Sequence, residues 1–214
     1  MQVNGELTAI GVETSTDKAH FHNFTPIYER FLFDKRDSVK KVLEIGVFRG
    51  SSVQMWERYF PNAKILGLDS QHDSLHLKRV IGYLPGELMQ FPGVTAGYIL
   101  KLLMNMRGIS DKSAIYELSE RLQLDLSRKF QDLSHGNKQK VGLVQAFMHR
   151  PKILILDEPT LGLDPFIQRE LKNMMEEYVS QGNTVVLSSH VLSEVESICN
   201  RIALINVGRI VRVG

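Results

Sequence analysis

The sequence predicts an α/β protein: a three-layer arrangement of a mixed, mostly parallel sheet with helices on both faces. Short aliphatic runs at residues 42–46, 64–69, 79–84, 153–156 and 184–188 alternate with segments of helical period, the order that α/β architecture requires. The chain has 214 residues, 43% hydrophobic and 23% charged, enough to bury a core without disulfides or metals.

Each element has a local reason. Residues 1–20 are polar and weakly patterned and read as a loose lead-in. Phe24, Ile27, Tyr28, Phe31 and Leu32 form a helical stripe across 23–33. Residues 42–46 end in glycine and read as a buried strand, 51–59 as a helix stopped by Pro61-Asn62, and 64–69 as a second strand. Such a β-α-β unit implies parallel strands and a right-handed crossover. A strand at 79–84 ends at Pro85-Gly86, and helical pattern covers 95–106, 113–122 and 137–149. The unbroken run Ile153-Leu154-Ile155-Leu156 marks a strand covered on both faces. Asp164-Pro165 stand as N-cap and first residue of a helix that ends near Gly182. Its apolar face is Phe166, Ile167, Leu171, Met174, Met175, Tyr178 and Val179. A strand at 184–188, a short helix at 190–199 and a hairpin around Asn206-Val207-Gly208 complete the chain. Met104, Met106, Met174 and Met175 read as core. Residues 1–77 and 78–214 are expected to be two segments of one compact unit, their strands pairing in a single continuous sheet.

Composition excludes several classes. A formal net charge of +2 is too small to argue for nucleic acid. One cysteine, Cys199, permits no internal disulfide and fits a reducing compartment. Residues 1–12 carry no secretory pattern, and no stretch approaches the ~20 apolar residues of a membrane span. Any membrane role would run through a partner. The histidines His20, His22, His72 and His76 have no metal-binding spacing, and His149 reads as helix-end packing.

The most specific signal is Ile153-Leu154-Ile155-Leu156-Asp157-Glu158-Pro159-Thr160, an aliphatic strand delivering two carboxylates to its tip. The first suits Mg²⁺, a hard cation that takes oxygen ligands. The second suits orientation or deprotonation of an attacking water in phosphoryl transfer. Leu133-Ser134-His135-Gly136-Asn137 lies upstream at a helix start, where N–H groups and the helix dipole favour phosphate. Gly162-Leu163-Asp164 follows the acidic pair, and Ser188-Ser189-His190 ends the next strand. In this order and wording the motifs resemble the ATP-binding subunits of ABC transporters, of export type, from about Lys78 to Gly214.

That resemblance implies a P-loop-NTPase-like half, with a helical part near 91–135 and Walker B to switch histidine over 151–200. It implies Asp157 as the Mg²⁺-associated acid, Glu158 and His190 as catalytic, and Ser134, Gly136, Asn137 and Asp164 as nucleotide-binding. It further implies ATP and Mg²⁺ as cofactors, a dimer partner, a membrane-spanning partner and a cytoplasmic location. The family has glycine at His135 and glutamine at Asn137, and Gly86-Glu87 stand in place of its Q-loop glutamine. The Walker A loop, G-x-x-x-x-G-K-[ST], has no counterpart in residues 1–80. The nearest segment is Gly46-Val47-Phe48-Arg49-Gly50-Ser51-Ser52, with one residue too few between its glycines and no lysine.

Residues 16–70 resemble a second family, the class I S-adenosylmethionine-dependent methyltransferases of natural-product and sugar type. Thr16-Asp17-Lys18, the segment from Val42 to Ser52, Trp56, Tyr59-Phe60-Pro61-Asn62-Ala63 and Ile65-Leu66-Gly67-Leu68-Asp69 carry it. This implies a Rossmann-like β-α-β unit, S-adenosylmethionine as cofactor, and Glu44, Gly46, Gly50 and Asp69 as its site. The two resemblances together describe a chimera fused between Asp69 and Lys78. Three functions stay open at this point: an ABC-type subunit with an impaired ATP site, a residual S-adenosylmethionine-binding protein, and a folded scaffold without ligand.

Overall fold

The computed structural model describes residues 5–45, 47, 49–68, 74–206 and 209–213. The chain divides into two units, Met1–Leu77 and Lys78–Gly214.

The first unit opens with helices α1 (Glu6–Glu13), α2 (Asp17–His20) and α3 (Thr25–Leu32), followed by β1 (Lys41–Ile45), α4 (Ser51–Tyr59) and β2 (Lys64–Leu68). Residues 5–20, expected with 1–4 to form a loose lead-in, are therefore mostly helical. Two features hold α1 in place. Its Leu7 is fully buried with Met55, Trp56, Tyr59 and Phe60. The N–H of Leu7 donates to Oε1 of the buried Glu29, 3.2 Å away, satisfying one of the open donors at a helix start. Close approach also matters: a Cβ on Gly11 would lie 2.8 Å from Ala19 Cβ. The anticipated stripe on α3 is only half right. Thr25 and Glu29 are its buried residues, while Phe24 is 40% exposed. Polar side chains won that face because Glu29 caps α1 and Thr25 Oγ1 accepts from Thr8 Oγ1. β1 and β2 pair in parallel, Lys41 opposite Lys64 through Ile45 opposite Leu68, as the β-α-β reading requires.

Helix α5 (Ser74–Val80) leads into the second unit. There β3 (Ile81–Leu84), α6 (Ala96–Met106), α7 (Ser113–Arg121), α8 (His135–Phe147), β4 (Ile153–Asp157), α9 (Pro165–Ser180), β5 (Thr184–Ser188), α10 (Leu192–Ile198), β6 (Ala203–Asn206) and β7 (Arg209–Val213) follow in order. β3, β4 and β5 form a parallel sheet in that order, with Leu84 opposite Leu156 and Asp157 opposite Ser188. β6 and β7 form the antiparallel hairpin. Leu84, Leu154 and Leu156 pack with the inner faces of α6, α7, α8 and α9. On β4 the coverage is unequal: Leu154 and Leu156 are buried, Ile153 and Ile155 half-buried. Gly82 lets β3 lie against α8, since a Cβ there would sit 2.1 Å from the Ala146 carbonyl oxygen.

α9 begins as expected, with Asp164 as N-cap and Pro165 first. Its buried stripe is narrower than the sequence suggested: Phe166 is 65% and Val179 46% exposed. Met106 is likewise exposed at the last turn of α6, whereas Met104, Met174 and Met175 are core. The α/β class holds, but the expected single sheet does not. The described strands fall into three sheets, β1-β2, β3-β4-β5 and β6-β7. Each unit has its own buried apolar cluster, one around Met55 and Tyr59 and one around Leu84, Leu154 and Leu156.

Candidate functional site

The carboxyl end of a parallel sheet is where α/β proteins place ligands, and in the second unit that end carries Asp157, Glu158, Ser188 and His190. The β4–β5 register sets Asp157 opposite Ser188, and the Ser188 hydroxyl donates to Asp157 Oδ1. Asp157 itself is exposed. Gly86, after β3, comes up to the same carboxylate, for a Cβ on it would lie 2.9 Å from Asp157 Oδ2. One exposed carboxylate at a strand tip with a hydroxyl beside it fits Mg²⁺, which is held by one or two carboxylates and keeps its other positions for water and phosphate. Among the described residues no three of His, Cys, Asp and Glu gather into a metal cluster, so Asp157 would hold the ion with substrate oxygens rather than in an all-protein cage.

Glu158 leaves the strand with φ of 47°, a left-handed backbone that costs a non-glycine residue about 1 kcal/mol or more. The turn is fixed from both sides. Its N–H donates to the Ser188 carbonyl and hydroxyl oxygens, each at 3.2 Å. Its carbonyl accepts from the Gln139 side-chain amide at 3.0 Å and from the Leu161 N–H at 3.2 Å. The Glu158 carboxylate then meets His190: Oε1 lies 2.9 Å from Nδ1. The hydrogen bond to Glu158 and its charge hold the imidazole pKa above its ordinary value, and Glu194 adds in the same direction. Glu194 Oε2 also accepts from the hydroxyl of buried Thr160, 2.7 Å away, tying α10 to the turn after Glu158.

Ser134, Gly136 and Asn137 open α8. Ser134 Oγ accepts from the Asn137 N–H at 3.3 Å and from its side-chain Nδ2 at 3.1 Å. Gly136 packs on Gly162; a Cβ on Gly136 would lie 2.3 Å from the Gly162 oxygen, and Gly162 itself has φ of 73°. His135 is exposed at this junction. Asp164 is used locally: Oδ1 caps α9 by accepting from the N–H groups of Phe166 and Ile167 at 3.1 and 3.0 Å. The structure therefore brings together Asp157, Glu158 and His190, and separately Ser134, Gly136 and Asn137 beside the Gly162 turn. Gln139, Ser188 and Glu194, which hold these groups, were not singled out from sequence. The signal for Gln139 was a polar residue on the buried side of a helix with apolar neighbours.

In the first unit Glu44 is engaged. Oε1 pairs with Lys18 Nζ at 2.7 Å, and Oε2 accepts from Trp56 Nε1 at 3.1 Å. Gly50 caps the start of α4 with φ of 78° and open space where a Cβ would stand. The other two residues anticipated there, Gly46 and Asp69, lie outside the described residues.

A parallel sheet presenting paired carboxylates and a histidine at its strand ends has the ligand-site layout of α/β proteins, and comparisons with known proteins make it particular. Residues 58–161 match the family model described as ABC transporter, a segment that begins earlier than the motifs suggested. The chain is 32% identical over 178 residues to the linearmycin resistance ATP-binding protein LnrL of Bacillus subtilis (strain 168), covering 79% of this chain and 57% of that protein. It is 35% identical over 176 residues to the bacitracin transport ATP-binding protein BcrA of Bacillus licheniformis, covering 78% of this chain and 53% of that one. A solved ATP-binding subunit of an ABC transporter superposes with a TM-score of 0.62 at 25% identity, covering 82% of this chain and 78% of the other. These findings support an ABC transporter ATP-binding domain. The chain spans about half the length of the curated relatives it matches.

Proposed function

We propose that this chain is an ATP-binding subunit of an ABC exporter, working on the cytoplasmic side through a membrane-spanning partner and a second ATP-binding subunit. The pairing of Glu158 with His190 at the tips of β4 and β5, beside Asp157, carries this reading. In it, Asp157 holds Mg²⁺, which would neutralise phosphate charge. Glu158 orients and deprotonates the attacking water. His190, whose pKa the hydrogen bond and charge of Glu158 raise, would stand near the terminal phosphate. Ser134, Gly136 and Asn137 face nucleotide held by the partner subunit, the start of α8 supplying N–H groups.

The chain's own phosphate cradle is replaced. The dipeptide Gly-Lys does not occur in these 214 residues, which supports the reading that this segment supplies no Walker A lysine to the β- and γ-phosphates. In this proposal residues 16–70 are a methyltransferase-derived β-α-β unit kept as scaffold, with Glu44 committed to Lys18 and Trp56. The subunit then hydrolyses little ATP itself but completes a partner's site with its signature residues.

A thermal-unfolding scan with Mg-ATP and, separately, S-adenosylmethionine tests this. A ligand at ~100 times its Kd adds about 2.7 kcal/mol. The expected result is little shift with either ligand alone, and ATPase activity when the chain is mixed with an ABC subunit that has Walker A but a disabled signature serine. A large shift with Mg-ATP alone would sink the impaired-site reading; one with S-adenosylmethionine alone would revive the cofactor site at Gly50.

A further inference from the structure

Glu158 is held in a backbone conformation that its own side chain disfavours, so something must over-determine it. Its N–H is fixed by Ser188 of β5. Its carbonyl is fixed by Leu161 within the turn and by Gln139, which comes from another element. Gln139 stands on α8, five residues after Ser134, and is 4% exposed. Because a carbonyl oxygen only accepts, the amide nitrogen of Gln139 must be the group that faces it, and a buried amide without that partner would be costly.

The same helix touches the following turn a second time. Gly136 lies against the Gly162 carbonyl, and Gln168 Nε2 donates to the Leu163 oxygen at 3.1 Å. The start of α8, the 158–164 turn and the first turns of α9 are thus joined by contacts that leave little slack. The Glu158 carboxylate in turn holds His190 at 2.9 Å, and His190 is 69% exposed, so no packing fixes it in that place.

We infer that Gln139 is a positioning residue: it locks the left-handed backbone at Glu158 and so ties the carboxylate–imidazole pair to the helix that begins at Ser134. Under the proposed function, on which this consequence rests, occupancy of the Ser134–Asn137 end by a partner's nucleotide is transmitted through Gln139 to Glu158 and His190. The two half-sites of one subunit are then mechanically coupled, without any shared ligand.

The test needs no nucleotide, so a failure of the ATP-site reading leaves it intact. Gln139→Met keeps the length and removes the donor. The ¹⁵N resonances of the His190 ring are compared at fixed pH in the wild type, in Gln139→Met and in Glu158→Ala, the last marking the broken pair. The expected result is that Q139M remains folded by its melting curve while its His190 signals move toward those of E158A. Wild-type His190 signals in a folded Q139M would overturn the proposal. Should Q139M not fold, the wild-type protein decides. Side-chain amide protons of Gln139, bonded to the backbone carbonyl of Glu158, should exchange about tenfold or more slowly than free amides. Free-amide exchange in the wild type overturns it.

Discussion

Glu44 and Asp157 both stand near the C-terminal end of a parallel strand, and their surroundings differ. Glu44 is enclosed: its side chain is 10% exposed, Lys18 neutralises it and Trp56 donates to it. Asp157 and Glu158 are more open: Asp157 is exposed, and the half-buried Glu158 carboxylate pairs with a solvent-facing histidine. An acid enclosed by its own fold, one oxygen in an ion pair and the other hydrogen-bonded, contributes stability. An acid left at an open strand tip, on a backbone held in a costly conformation, is available for chemistry. Glycine serves two ends, positive φ and close approach, and both units use each, Gly11 being crowded in the first and Gly162 having a positive φ in the second. Gly50 in the first unit is needed for its positive φ and has open space beside it, whereas Gly82 and Gly136 in the second are needed because neighbouring backbone lies where a Cβ would be.

The largest expected break in this contrast is Gly82→Ala. Its Cβ would meet the Ala146 oxygen at 2.1 Å and Leu154 Cδ2 at 2.7 Å, and we expect a loss of about 3 kcal/mol, from overpacking that shifts backbone. A urea midpoint within error of the wild type would contradict it. Next is Glu44→Gln, which leaves Lys18 partly buried without its counter-charge. A loss of about 2 kcal/mol is expected by the same measurement, while Asp157→Asn, at an exposed tip, should leave the fold within about 0.5 kcal/mol. If Asp157→Asn cost as much as Glu44→Gln, the division between structural and displayed acids would fail. Gly50→Ala should cost about 1 kcal/mol, from backbone strain alone, and a cost equal to that of Gly82→Ala would mean that the space beside Gly50 is filled.

The smallest effects are in pH. Burial lowers the His149 pKa, and the Arg107 charge adds to this, while Nε2 of His149 donates to the Ile81 carbonyl at 3.1 Å. The unfolded chain takes up this proton near pH 6.5, the folded chain only at lower pH. The stability from keeping His149 neutral is therefore present above about pH 6.5 and declines as pH falls through that value. His190 has the opposite sign. Glu158 raises its pKa, so its contribution is complete below about pH 6.5 and is lost as pH rises through the folded value. Denaturation midpoints at several pH values should show His149→Gln flattening the acid-side slope and His190→Gln the neutral-side slope. Identical slopes in both variants would remove either assignment.

Much of this was legible in the chain. Asp164-Pro165 dictated the start of α9 because side-chain capping and a fixed φ are local properties. The run Ile153 to Leu156 announced β4, and Asp157-Glu158 its acidic tip, because aliphatic strands and acidic tips are adjacent in sequence. Local signals could not give α1, whose short polar helix is set by Leu7 burial and by Glu29, distant in the chain. Nor could they tell exposed Phe166, Val179 and Met106 from their buried neighbours, since periodicity marks a face but not how far the facing element reaches.

By itself, then, the sequence determined the α/β class, most element types from α3 onward, the Asp164 cap and the acidic strand tip, all of which depend on residues close together along the chain. Only the tertiary structure decided that the described strands fall into three sheets, that Glu44 is engaged by Lys18 and Trp56, and that Gln139 reaches the Glu158 carbonyl. Those outcomes depend on which distant groups meet, and pairing between distant groups is settled by packing and by the cost of leaving a buried polar atom unbonded.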